Sequence, residues 1–361
     1  MPYLLAAAGF FFGALIGSFL NVCIYRIPRE ISIVDPARSF CPNCQKQIPW
    51  YQNVPILSWC LLRGRCGQCN APIHPRYLIV ETLTASLFAL ATFIIPVPAL
   101  FSVWVFLSIL VVTTFVDLEF FIIPDVMSKG GIAAGLLLSV VTPGLHQTSS
   151  PLIAVVLSLA GALLGAIILF LISEFGKLVF GRYKVVLKNP TKFTFAVLPP
   201  DDRQLLIEDE PFLWSEHFYR KSDRIVVRAE EAEINGSTYQ NLDLTFFHDR
   251  LVTAHQTIPL NEITHLTGVI TAAQFPREAM GLGDVKLLAA IGAFVGWQGI
   301  LFTIAIASFL GAAFGITAIV LGKRERSSKI PFGPYLAIAA VIWLFWGDPL
   351  VSWYQRTLLG L

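Results

Sequence analysis

From Met1 to Cys23 the chain carries no charged side chain, and the same holds from Leu83 to Val116. Runs of this length constrain everything else the chain can do. A bilayer core about 30 Å thick needs roughly 20 apolar residues at 1.5 Å rise each. Met1–Cys23 therefore predicts one membrane-spanning helix. It is expected to be retained, because it lacks the basic start and small-residue cleavage site of a signal peptide. Leu83–Val116 is too long for one span, and Pro96 and Pro98 divide it into two. Gly130–Ser173 divides at the turn-rich stretch from Thr142 to Pro151, and Leu287–Gly322 divides near Gly296-Trp297-Gln298-Gly299. Phe332 opens a last span that reaches about Tyr354. The expectation is a polytopic α-helical membrane protein with eight transmembrane helices. Composition agrees, with 55% hydrophobic and 14% charged residues, against about 25% charged in soluble domains. An ordinary soluble enzyme, a disordered chain and a collagen-like chain are excluded. With 26 Lys and Arg against 24 Asp and Glu, the net charge of +2 points to no nucleic acid or other polyanionic partner.

Basic residues orient the spans. Arg26, Arg29, Arg38, Lys46, Arg63, Arg65 and Arg76 lie in the first long loop, and Lys323, Arg324 and Arg326 precede the last span. The short turns near Pro96, Gly144 and Gly296 carry no Lys or Arg. The positive-inside rule makes the charged loops cytoplasmic and both termini external.

Between Gly181 and Pro276 the character changes. Close to half of the charges fall here, and apolar and polar residues alternate with period 2 over Lys192–Leu198 and Arg224–Ala229. Asn235-Gly236 between alternating runs is a hairpin signal, and Leu242–Phe247 reads as the next strand. A small, mostly β, cytoplasmic insert is expected. The chain then divides into a first helix (1–23), a loop domain (24–76), helices 2–5 (77–180), the insert (181–276) and helices 6–8 (277–361).

Six cysteines include two CxxC pairs, Cys41 with Cys44 and Cys66 with Cys69. The loop that holds them is cytoplasmic and reducing, so structural disulfides are disfavoured. Four thiolates at this spacing can surround one tetrahedral Zn²⁺, a closed and therefore structural site. A redox dithiol is the weaker reading, because two pairs are present. Gly64 and Gly67 are expected to supply turn flexibility around the second pair. Cys23 and Cys60 read as small buried hydrophobes. The six His show no HxxxH or HExxH spacing, so no catalytic metal is expected.

Ionisable groups beside membrane helices are costly and become functional candidates. Asp117 follows the third span, and Asp284 lies in Gly281-Leu282-Gly283-Asp284-Val285-Lys286 before the sixth. The predicted topology puts both at the cytoplasmic membrane edge. Two carboxylates sharing a site cannot both ionise easily, so one can act as general base on water and the other as general acid. Simpler roles stay open: Asp117 as the polar boundary of a span, Asp284 as a helix N-cap. Glu119 could substitute for Asp117. Gly281 and Gly283 allow a positive φ or a close strand approach. Asp125 after Pro124 fits an N-cap, Lys286 pairs with a carboxylate or anchors at the interface, and Glu81 finds a partner in Arg76.

This constellation resembles the bacterial type IV prepilin peptidases, GxGD membrane aspartic peptidases that also act as N-methyltransferases. Gly17-Ser18-Phe19-Leu20-Asn21-Val22 with Tyr25-Arg26-Ile27-Pro28 resembles the end of the family's first helix. Cys41, Cys44, Cys66 and Cys69 match its zinc-binding loop, and Pro75-Arg76-Tyr77 through Glu81 the entry to its second helix. Asp117 with Ile123-Pro124-Asp125, and Gly281 through Ala290, resemble the two catalytic segments; Pro331-Phe332-Gly333-Pro334 resembles the last loop. The resemblance implies catalysis by Asp117 and Asp284, with Gly281, Gly283, Lys286, Asp125 and Glu81 in support. It implies cleavage of the leader of type IV prepilins and type II secretion pseudopilins at the cytoplasmic face of the bacterial inner membrane. It also implies N-methylation of the new amino terminus from S-adenosylmethionine. The insert departs from typical members, which join the fifth span to the GxGD motif by a few residues. Two other readings remain: a peptidase without methyl transfer, and a non-enzymatic membrane scaffold with a zinc module. The scaffold requires the two Asp to be remote from each other.

Overall fold

The computed structural model describes residues 2–35, 39–180, 182–198, 202–208, 210–214, 218, 223–276, 280–321 and 330–359. Arg38, Lys323, Arg324 and Arg326, used above for orientation, lie outside the described residues. The chain forms two compact units, one of Met1–Phe170 with Leu282–Leu361, the other of Leu171–Gly281.

The first unit is helical. Its elements are α1 (Pro2–Arg26), the short α2 (Leu57–Leu61), α3 (Arg76–Ile94), α4 (Val97–Phe120), α5 (Asp125–Val141), the first part of α6 (Pro151–Phe180), α7 (Leu282–Val320) and α8 (Gly333–Tyr354). Among the described residues, five helices are long and apolar enough to cross a membrane, α1, α3, α4, α6 and α7, and the bent α8 makes a sixth if its two parts form one span. Their outer faces carry large exposed apolar side chains such as Phe11, Phe101, Leu152 and Phe309, which suits lipid and not water. The 39-residue α7 is interrupted at Gly296, whose φ of 71° and ψ of −175° are open essentially to glycine alone. That break falls where the sequence divides the run. The 17-residue α5 is short, and α8 bends by 69° around Pro349, which removes a helix hydrogen bond.

Small residues set the helix contacts. Without a hydrophobic drive between helices in lipid, close backbone approach and interhelical hydrogen bonds carry the packing. Gly9, Gly13 and Gly17 repeat every fourth residue on α1 and face α3; a Cβ on Gly13 would lie 2.8 Å from the Ala85 Cα. Gly131 and Gly135 of α5 likewise face Ala290 and Ala293 of α7. The tightest crossing is between α6 and α7, where a Cβ on Gly161 would meet the Gly292 carbonyl at 2.3 Å and one on Gly292 the Gly161 carbonyl at 2.2 Å. Beside it the Ser158 hydroxyl donates to the Ala293 carbonyl at 2.7 Å. Larger side chains fill the rest: Leu20, Ile24, Val80, Val112 and Val116 form one cluster among α1, α3 and α4, and Phe88 stacks on Trp104.

The second unit contains one eight-stranded antiparallel sheet in the order β3-β2-β1-β8-β4-β5-β6-β7. Its strands are β1 (Arg182–Leu198), β2 (Asp202–Ile207), β3 (Glu210–Leu213), β4 (Ile225–Ile234), β5 (Ser237–Phe246), β6 (Arg250–Val252), β7 (Thr257–Pro259) and β8 (Leu266–Pro276). Asn235 and Gly236 turn β4 into β5 with φ of 49° and 86°, the paired left-handed residues of a tight hairpin. Alternate residues of the strands, among them Phe193, Leu205, Ile225, Val227, Leu244 and Phe246, form its core. The first and last strands pair, with Arg182 opposite Pro276. The insert thus begins and ends at one place, which lets it interrupt a helical chain without forcing apart the elements on either side.

The α6–α7 crossing generates a prediction. Gly292→Leu forces a side chain into a backbone carbonyl and should destabilise the protein by about 2–3 kcal/mol, whereas Gly130→Leu, where nothing lies within 4 Å of the added Cβ, should not. Unfolding midpoints in detergent measure both.

Candidate active site

α4 ends where Phe121 takes a left-handed φ of 56° and its N–H caps the Asp117 carbonyl. Pro124 then prevents the helix from resuming. Asp117 is therefore in the last turn of α4, with only 5% of its surface exposed. Its Oδ2 accepts the backbone N–H of Gly333, the first residue of α8, at 2.9 Å. A Cβ on Gly333 would lie 2.7 Å from that same oxygen, so the position leaves no room for a side chain. The sequence signal for Gly333 was its place in Pro-Phe-Gly-Pro, which did not reveal its partner.

Asp284 lies in the first turn of α7. The segment that carries it packs on the segment that follows Asp117: a Cβ on Gly283 would lie 3.1 Å from the Ile123 Cβ. Gly283 is helical, so its value is this close approach and not a left-handed φ; Gly281 is exposed just before the helix. Lys286 Nζ meets Asp125 Oδ1 at 2.6 Å and ties the start of α7 to the start of α5. Asp125 also holds Lys129 at 2.7 Å. It is the first residue of α5 and makes no capping hydrogen bond; Pro124 occupies the N-cap.

Glu81 and Arg76 do not pair. Arg76 Nη1 binds both oxygens of Glu119, at 2.6 and 2.5 Å. That engagement takes Glu119 away from the role of substitute for Asp117. Glu81, 7% exposed, accepts the Ile56 N–H at 2.7 Å. Ile56 has φ of 64° and ψ of −55°, and the Leu57 N–H closes on the Pro55 carbonyl at 2.6 Å. This is the strained hand of a γ-turn, at a cost of about 1–3 kcal/mol for a β-branched residue. A backbone donor presented by a strained turn has no signature in residue spacing, which is why Arg76 looked the better partner.

The four cysteines come together. Their Sγ atoms all lie within 4.8 Å of one another, with Cys41 and Cys69 at 3.8 Å. A tetrahedron with 2.3 Å metal–sulfur bonds has edges of about 3.8 Å, so the set fits Zn²⁺. Two equivalent knuckles build it. Cys41 N–H donates to Lys46 O and Gln45 N–H to Cys41 O; Cys66 N–H donates to Ala71 O and Asn70 N–H to Cys66 O. Gln45 and Asn70 turn the knuckles with φ of 58° and 55°. Gly64 is also left-handed (φ 68°), whereas Gly67 instead makes room for Gln52. The Ala71 N–H and the Asn43 amide hold the Cys69 thiol down at about 6. Burial pushes Cys41 up to about 11, which a bound cation would reverse. Cys23 is buried as expected, but Cys60 is exposed on α2, a helix too short to bury both of its faces.

The chain matches the Bacterial Peptidase A24 N-terminal domain over residues 11–95 and the Type IV leader peptidase family over residues 252–316. It is 30% identical to the prepilin leader peptidase/N-methyltransferase of Aeromonas hydrophila, over 99% of this chain and 97% of that protein. The chain belongs to the prepilin leader peptidase/N-methyltransferase family. The like-named protein of Legionella pneumophila is 26% identical over 95% of this chain and 92% of its own. That of Myxococcus xanthus is 45% identical over 36% of this chain and 39% of its own. No solved structure matches the chain. A prepilin leader peptidase with several apolar helices is an inner-membrane protein.

The thiol geometry predicts close to one equivalent of zinc in the purified protein. Cys66→Ser should lower it well below one, and chelation should expose all four thiols to alkylation. Metal analysis and thiol counting read both.

Proposed function

We propose that this chain cleaves the leader peptide of type IV prepilins and type II secretion pseudopilins and then methylates the new amino terminus. The relative aligned along almost its whole length carries both activities in its name. The carrying observation is the polar end of α4: a carboxylate withdrawn from water, held by a backbone N–H, beside the segment bearing Asp284.

In this reading Asp117 and Asp284 act as a pair. Two carboxylates that share a site share a proton. The ionised one takes a proton from water, and the protonated one gives its proton to the scissile carbonyl. The roles belong to the pair and not to either residue. The Gly333 N–H supports a negative charge on Asp117, and Gly283, Lys286 and Asp125 position the start of α7. Glu81 holds the γ-turn at Ile56. Gly281 allows the chain to enter α7 from the insert.

Four cysteine thiolates hold a structural Zn²⁺, which leaves no open position for chemistry. Eight spans, counting α7 as two about Gly296, put the zinc loop and the insert in the cytoplasm and both termini outside. The leader is cut at that cytoplasmic face. When bound, S-adenosylmethionine would supply the methyl group as an activated sulfonium for the uncharged α-amine. Transfer would form the C–N bond as the C–S bond breaks, with sulfur keeping the electron pair and the amine losing a proton to water.

Incubation with a model prepilin tests the assignment. Asp117→Asn and Asp284→Asn should each lose cleavage by about 10²-fold or more while remaining folded. Mass spectrometry of the wild-type product should find one added methyl group. Normal cleavage by Asp284→Asn would sink the pair, and an unmethylated product would leave a peptidase alone.

A further inference from the structure

The β insert carries a small opening that neither the carboxylate pair nor the thiol cluster uses. A cavity of about 160 Å³ lies where β2 turns into β3. Leu187, Ile207, Phe212 and Phe275 give it apolar walls, and Glu208 and Glu210 line it beside them. Sites for small molecules have volumes of roughly 300–1,000 Å³. This one is sized for a single side chain and not for a metabolite.

Local structure sets the two carboxylates in place. Ile207 pairs with Glu210 across the turn, and Glu208 makes that turn with a left-handed φ of 49°. The hydroxyl of Thr191, a residue only 5% exposed, donates to Glu208 Oε1 at 3.1 Å. One oxygen is thereby held, and Oε2 receives no donor among the described residues. The rings of Phe212 and Phe275 stack with centroids 4.5 Å apart and planes 19° from parallel. The pairing of β1 with β8 is interrupted between Val186 and Thr191, and Leu187, inside that interruption, completes the wall. Both glutamates are exposed, and among the described residues neither forms an ion pair.

Two unpaired carboxylates beside stacked rings suit a cation on an apolar stem. A lysine or arginine meets both demands: its methylenes lie on the aromatic wall while its charged end reaches the glutamates. A bare Ca²⁺ does not, because two carboxylates against apolar walls fall short of the 6–8 oxygen ligands it takes. The function proposed above brings such a side chain to the same compartment. A substrate cut at the cytoplasmic membrane edge keeps its leader outside the bilayer, and the positive-inside rule puts Lys and Arg in that flank. The insert is also attached near the catalytic motif, since Phe275 precedes Asp284 by nine residues in the chain. We propose that this cavity is an exosite that takes a Lys or Arg side chain of the substrate's leader, with Glu208 and Glu210 as specificity-determining residues. The inference rests on the leader-peptidase reading and gives the insert a part in it. Contacts made away from the reacting atoms favour substrate and transition state alike, so they act on KM and not on kcat.

Steady-state cleavage of a model prepilin by the full-length protein in detergent tests this. Glu208→Gln combined with Glu210→Gln should raise KM about tenfold and leave kcat unchanged, and the rise should shrink with added salt. Gln keeps an oxygen for Thr191, so the turn is retained; unfolding midpoints check this, and Glu210→Gln alone decides if the double variant unfolds. Each Lys and Arg of the leader is then replaced by Gln in turn. One position should raise KM for the wild type and give no further rise with the double variant. Glu208→Lys with Glu210→Lys should recover a low KM for a leader that carries Glu at that position. Glu230→Gln with Glu231→Gln, an equal loss of charge from exposed residues of β4, should leave KM unchanged. An unchanged KM in the well-folded variant overturns the exosite while leader cleavage stands. So does a rise that persists when every basic residue of the leader is neutralised, or an equal rise from the β4 pair. A wild type that cleaves no prepilin overturns the leader-peptidase reading and the exosite with it.

Discussion

A carboxylate in the last turn of α4 is withdrawn from water, and the surrounding architecture has to compensate for that. Asp117 receives one backbone N–H, from Gly333, at the start of a helix far away in sequence. Such a donor is available only because α8 begins there and because its first residue has no side chain. The same logic recurs one turn away. Glu119 is answered by Arg76, and Glu81 by the N–H of a strained turn at Ile56. Asp117, Glu81 and Glu119 are each held by a donor from another element. In a medium that supplies no hydrogen bonds of its own, this is what keeps ionisable groups in place.

Glycine makes these arrangements possible at the scale of whole helices. The α1–α3, α5–α7 and α6–α7 contacts all run through glycines spaced four residues apart. The β insert contributes in a different way. Its first and last strands pair with each other, so its eight strands form a self-contained sheet that does not need to borrow hydrogen bonds from the helices.

Much of this was legible in the residues. Charge-free runs located the helices, and the break in the long run fell at Gly296, where the backbone leaves the helical region. Two CxxC pairs predicted thiols in one place, and the four Sγ atoms converge. Asn235-Gly236 marked the hairpin. The glycine spacings on α1, α5 and α6 were also present in the sequence, and close helix packing could have been read from them. What spacing could not show is which polar group answers which. Arg76 looked like the partner of Glu81 because the two are near in sequence. The actual donor is a backbone N–H whose orientation depends on a γ-turn. Asp125 looked like a cap because it follows Pro124, yet its oxygens are taken by Lys129 and Lys286. Side-chain type constrains the chemistry of a partner; only the fold selects the partner.

The central claim is that Asp117 and Asp284 face each other across one site. The most direct measurement places cysteine at both positions, in a background where Cys23 and Cys60 are replaced by alanine and the four-thiol cluster keeps its metal. A short bifunctional thiol reagent is then applied in native membranes. The account predicts an intramolecular link joining the peptides that contain residues 117 and 284, formed before the protein is unfolded. Modification of each cysteine singly, with no link between them in the folded protein, would contradict it.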